Sequence, residues 1–259
     1  MRRAGRDVVS RLLSHQRNPL GRTVRLLGWM ANHTSDDYGV RELAAAVGMA
    51  PSTVHRSLGA LEDEELIESL PATGRYRLSL EFYRLALRGA ARAPVMELAL
   101  PHLRAAAETG GETALLALYS APQLAVVYVT EIPARHPLQV RPALHEWIPL
   151  TACAAGLAVL SGLAGETLVT AFGRESASVQ ASELAAQLAL VRSQGFASLP
   201  GRPGNFAQEL AAPFSGPGRQ VLGAVVFAVP EHRLNPVLEA SLGQLLVDQA
   251  SLISAALTG

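Results

Sequence analysis

Residues 40–62, V-R-E-L-A-A-A-V-G-M-A-P-S-T-V-H-R-S-L-G-A-L-E, decide how the chain is read. Val40 to Val47 spell a short alanine-rich helix that stops at Gly48, where glycine permits a tight turn. Pro51, Ser52 and Thr53 supply N-cap and first-turn chemistry for a second helix, which repeats apolar groups at Val54, Leu58 and Leu61. Two helices across a short glycine-containing turn make a helix-turn-helix. Upstream, residues 19–31 (PLGRTVRLLGWMA) set Val24, Leu26, Leu27 and Met30 at helical spacing, so a further helix is expected to turn one apolar face inward. Downstream, residues 66–69 and 75–79 alternate like strands around Pro71-Ala72-Thr73-Gly74, a turn signal. The expected unit is a helix-turn-helix with a β-hairpin wing.

In such a unit the second helix lies in the DNA major groove with its N-terminal residues on the base edges. The candidate contacts are Ser52, Thr53, His55 and Arg56, with Ser57 beside them and Arg41 on the preceding helix. Arg56 has the fork geometry to grip a guanine edge or a phosphate, and the hydroxyls suit phosphates near a helix N-terminus. Arg75 and Arg77, two residues apart and so on one strand face, are placed to clamp the neighbouring backbone or minor groove.

The charge pattern agrees with this assignment. The 259 residues carry a formal net charge of zero, but all 22 basic residues are arginine and they are unevenly spread. Residues 1–92 hold 14 Arg against 10 acids, a net +4, and residues 93–259 hold 8 against 12, a net −4. Within residues 1–30 seven arginines face only Asp7, a basic arm that suits a polyanion. A solvated tail has the same composition; the adjoining helix pair and hairpin favour DNA.

The rest of the composition excludes several classes. The chain is 49% hydrophobic and 17% charged, enough to bury sizeable cores, and its length suits two domains. No apolar run suggests a membrane span or a signal core, so a cytoplasmic location is expected. The one cysteine, Cys153, allows no internal disulfide, and no Cys/His cluster has zinc spacing, so neither metal nor cofactor is expected. Cys153 near a helix start invites thought of a nucleophile, yet no partner His or acid is identifiable and the seven histidines are scattered. The chain is not expected to be an enzyme.

The order A-A-A-V-G-M-A-P-S-T-V-H-R-S-L-G-A-L-E followed by G-R-Y-R-L resembles the IclR family of bacterial transcription regulators. Further along, residues 149–156 (PLTACAAG) resemble the family's P-L-H-A-T-A-x-G, residues 191–197 (VRSQGFA) its V-R-x-x-G-Y-A, and Ala211-Ala212-Pro213 its I-A-A-P. The resemblance runs from about residue 20 to the C-terminus. It implies an α+β protein with a GAF-like effector-binding domain behind the winged helix-turn-helix. The expected division is a basic arm at 1–17, the DNA-binding domain at 18–79, a linker helix at 80–93 and the effector domain at 94–259. In the last of these, helices are expected at 95–108, 153–161, 181–194 and 236–257, and strands at 113–119, 124–130, 208–213 and 220–229.

By the same resemblance the effector site takes in Thr151, Ala152, Cys153, Leu199, Arg202, Glu209, Val226 and Ala228. Leu199 and Arg202 fall where the family usually carries acidic residues, and the last strand has no serine. An apolar or aromatic effector is therefore expected, with any carboxylate met by Arg202. The implied partners are double-stranded operator DNA, the effector, and further copies of the chain as dimers, often paired into tetramers, with effector binding transmitted through the 80–93 helix. A sensor or scaffold that binds no DNA is the alternative. Operator sequence, effector identity and the sign of regulation are not legible.

Overall fold

A computed structural model describes residues 18–33, 35–91, 94–136, 140, 142–163, 178–201 and 207–259. The basic arm and Arg202 lie outside the described residues. The chain forms two compact units, Met1–Arg92 and Ala93–Gly259.

The first unit begins with helix α1 (Pro19–Ala31), capped by the Asn18 side chain on the Leu20 N–H. Leu26 and Met30 are buried as its periodicity requires, and Leu27 is partly buried, but Val24 is 58% exposed and lies off the packed face. Helix α2 (Val40–Val47) ends on Gly48 at φ 67, the left-handed conformation the turn demands. Helix α3 (Pro51–Asp63) starts with proline in its first turn and buries Val54, Leu58 and Leu61. Strands β1 (Ile67–Leu70) and β2 (Arg75–Leu78) pair antiparallel as the wing, with Glu68 opposite Arg77 and Leu70 opposite Arg75. Helix α4 (Leu80–Ala91) follows.

The second unit is one antiparallel sheet of six strands in the order β5-β4-β3-β8-β7-β6. These are β3 (Thr113–Ser120), β4 (Ala125–Ile132), β5 (Trp147–Pro149), β6 (Ala197–Pro200), β7 (Ala207–Ser215) and β8 (Val221–Pro230). Two of them, β5 and β6, were not among the expected strands, and both lie at the edges. Helices α5 (Pro94–Gly110) and α8 (Pro236–Thr258) cover one face, where Leu116, Phe214, Phe227 and Leu246 pack together. The opposite face, with Leu115, Val126, Ala224 and Val226, packs against α6 (Ala154–Gly162) and α7 (Ser178–Gln194). Helix α8 is long and apolar enough by composition to cross a bilayer, but its stripe of Leu242, Leu246, Ala250 and Ile253 is spent on the sheet. Just before β3, Glu112 takes the Arg233 guanidinium; burial raises its carboxyl above the ordinary carboxylate range, and Arg233 offsets only part of that rise.

The central strands approach so closely at Gly223 that an added Cβ would sit 2.0 Å from the Ala117 carbonyl oxygen and 2.9 Å from the Phe214 ring. Gly223→Ala is expected to lower stability by about 1–3 kcal/mol, the range for overpacking, as a depressed melting transition by circular dichroism. Gly59→Ala, where nothing lies within 4 Å, serves as the control and leaves the transition unchanged or higher.

Candidate nucleic-acid interface and effector-binding face

The candidate recognition surface follows from how α3 is seated. Val54, Leu58 and Leu61 anchor one side of the helix in the core with Leu26, Met30 and Leu43. The opposite side then presents Ser52, His55 and Arg56 to solvent, with Thr53 half-buried between them. Arg41 is exposed on α2. Ser57 departs from expectation: it is only 6% exposed, and its Oγ accepts from the Thr23 hydroxyl at 3.2 Å. Its place three residues after Val54 puts it on the buried face, so it pins α3 to α1 and offers nothing to a base edge.

The wing is held by more than its own ladder. Tyr38, in the loop before α2, exchanges two backbone hydrogen bonds with Tyr76 of β2, at 2.8 and 2.9 Å. The Tyr38 ring is buried and its hydroxyl donates to the carbonyls of Met30 and His33; burial raises its pKa above the ordinary phenol value. Beside it the Arg75 guanidinium bonds Asp37 Oδ1 at 2.5 Å, the Asp37 carbonyl at 3.0 Å and Glu42 Oε2 at 2.9 Å. Arg77 pairs across the hairpin with Glu68 at 2.6 Å. Both arginines therefore sit in internal ion pairs, and Arg75 ties the wing to the N-terminus of α2.

In the second unit the structure brings several of the expected effector residues onto one sheet face. Leu199 on β6, Glu209 on β7 and Ala228 on β8 are direct cross-strand neighbours, and Val226 lies opposite Ala211. Cys153 is buried at the start of α6, where its sulfur accepts the Gly156 N–H. Thr151 and Ala152 form the turn before it, half-buried and exposed respectively. Phe227 points to the opposite face, against α5 and α8. A residue absent from the expected set completes the group: the Tyr128 hydroxyl of β4 donates to Glu209 Oε2 at 2.9 Å. Burial first, then the neighbouring Cys153 and Glu209, drives the Tyr128 pKa well above its usual value. Among the described residues no group of His, Cys, Asp and Glu is arranged to hold a metal.

Comparison with known proteins bears on both halves. The IclR helix-turn-helix domain matches residues 19–71. The glycerol operon regulatory protein of Streptomyces griseus is 30% identical over 215 residues, spanning 76% of this chain and 79% of that protein. The chain belongs to the IclR family. The HTH-type transcriptional regulator TtgV of Pseudomonas putida is 33% identical over 161 residues, 60% of this chain and 61% of the regulator's own length. An IclR homolog from Microbacterium hydrocarbonoxydans, solved in complex with 4-hydroxybenzoate, superposes with a TM-score of 0.75 at 20% identity, covering 93% of this chain and 99% of that one.

For this IclR-family chain, the ion pairs at Arg75 generate a test whose sign is informative. Removing an acid beside DNA ordinarily strengthens binding by making the protein more positive. Because Asp37 holds Arg75 and the wing in place, Asp37→Ala is expected to weaken duplex binding severalfold in a fluorescence anisotropy titration, despite the lost negative charge. Stronger binding by the variant would mean that the Asp37–Arg75 pair restrains Arg75 from phosphate.

Proposed function

We propose that the protein is a ligand-responsive, sequence-specific DNA-binding transcription regulator of the bacterial cytoplasm. The observation that carries this reading is the seating of α3: a helix locked by its apolar side, with Ser52, His55 and Arg56 exposed along its N-terminal half. Arg56 reads a base edge or holds a phosphate, the Ser52 and Thr53 hydroxyls meet phosphate near the helix N-terminus, and Arg41 contacts the flanking backbone. Arg75 and Arg77 act on the wing side, Arg75 chiefly as a brace.

Two such helices are needed on adjacent half-sites for useful affinity, so the acting species is a homodimer, or a pair of dimers. Leu80, Tyr83 and Leu87 fall at helical spacing on α4 and are 83, 51 and 70% exposed, which suits pairing with a second copy. In the effector domain the face around Cys153, Leu199, Glu209, Val226 and Ala228 takes a small, rather apolar metabolite, with Thr151 and Ala152 in the turn beside it. The aromatic ligand of the Microbacterium homolog is of that size and kind. The effector shifts DNA affinity through its different affinity for the two states of the protein, with the α4 region as the connection. The work is binding rather than turnover.

The reading is tested by titrating the full-length protein onto duplex from upstream of its own gene and onto a scrambled duplex, with and without Arg56→Ala. Wild type is expected to prefer the upstream duplex. Arg56→Ala is expected to narrow that preference by about 1–3 kcal/mol if Arg56 reads a base, and to weaken both duplexes alike if it holds phosphate. Equal, salt-insensitive failure on both duplexes would overturn the reading.

A further inference from the structure

A cleft of about 290 Å³ runs along β6, the strand at one edge of the second unit's sheet, between the C-terminal half of α7 and the first turn of α8. Leu157, Val191 and Leu199 form the apolar part of its lining. Five polar side chains, Gln187, Gln194, Ser198, Gln208 and Glu239, converge on the same space, and each is half-buried. A second hollow of about 260 Å³ adjoins it, sharing Gln208 and Glu239 and adding Asn235 and Glu231. The first hollow alone lies near the lower end of the roughly 300–1,000 Å³ usual for small-molecule sites.

The hydrogen-bond inventory of the cleft points to its ligand. Gln208 Nε2 donates to Ser198 Oγ at 2.9 Å, and Gln194 Nε2 donates to the Phe196 carbonyl at 2.8 Å. These bonds hold the two amides and leave both amide oxygens and the Ser198 hydroxyl proton for a further partner. Gln187 and Glu239 make no side-chain hydrogen bond or ion pair among the described residues. Donors and acceptors therefore stand side by side, and none of the described lining residues is basic. An ammonium group only donates and a carboxylate only accepts, whereas a hydroxyl does both. A run of hydroxyls is the chemistry that uses the whole set at once, with the C–H groups between them against Leu157, Val191 and Leu199. We propose that this cleft is a ligand site distinct from the apolar effector face, and that it takes a small polyhydroxylated molecule, a monosaccharide or an alditol. Leu199 is shared with the residues expected at the effector face; the five polar groups are not. Gln208 and Glu239, common to both hollows, take neighbouring hydroxyls, and the bound molecule links α7 to the start of α8.

Saturation-transfer NMR titrations of the full-length protein test this with glucose, galactose, inositol, erythritol and mannitol. Cyclohexylamine and cyclohexanecarboxylate serve beside them as rings whose polar group only donates or only accepts. At least one polyol is expected to bind saturably, and severalfold more tightly than either charged ring. Glu239→Ala is expected to weaken the best-bound polyol about tenfold, the size of one good hydrogen bond, and Gln187→Ala severalfold. Both changes place a strong helix former at a half-buried helix position, and circular dichroism checks that the fold is kept. Glu183→Ala, exposed on α7 and outside the lining, leaves the affinity unchanged. Binding by none of the polyols, tighter binding of a charged ring, or undiminished polyol affinity in folded Glu239→Ala and Gln187→Ala would each overturn the proposal.

Discussion

The two backbone hydrogen bonds between Tyr38 and Tyr76 are the constraint on which the helix-turn-helix unit depends. They join the loop before α2 to the second wing strand, and the buried Tyr38 hydroxyl carries the connection to the end of α1. The helix pair, the hairpin and the first helix are thereby one body. Arg75 reinforces the joint from outside through Asp37 and Glu42, in exposed ion pairs that orient more than they stabilise. An interface that must match the spacing of a groove needs that rigidity, because a recognition helix free to rock spreads its contacts over many registers.

The second unit solves a different problem with its two sheet faces. One face is sealed by α5 and α8 around large side chains such as Phe214 and Phe227. The other is built largely from alanines and valines against α6, whose first turn lies so close to the turn after β5 that an added Cβ at Gly156 would fall 2.0 Å from the Leu150 carbonyl oxygen. Into this tightly packed, small-residue face the chain sets Tyr128, Glu209 and Cys153. One face is thus filled by large side chains and the other by small ones with a few polar groups among them.

Much of this was legible in the sequence because the signals were local. Gly48, Pro51 and the Val54/Leu58/Leu61 repeat specify the helix pair within a few residues, and the Pro71–Gly74 turn specifies the hairpin. The long strands of the second unit showed through runs such as Val225 to Val229. Strands β5 and β6 did not, since three and four residues are too few for alternation to register. Tyr38 and Tyr128 were missed for another reason: their partners, Tyr76 and Glu209, are far along the chain, the latter by 81 positions. Val24 misled because an apolar residue at helical spacing need not be inward. Ser57 misled by residue type, although its spacing from Val54 already placed it on the buried face.

The central claim is that the N-terminal half of α3 reads the major groove on paired half-sites. Dimethyl sulfate protection of guanine N7, a major-groove atom, tests it most directly on a duplex selected from random sequence by the full-length protein. The account predicts two protected clusters whose centres lie about one helical turn, or a multiple of it, apart, with Arg56→Ala restoring reactivity in both. Retention on the duplex with no N7 protection at any position would contradict it.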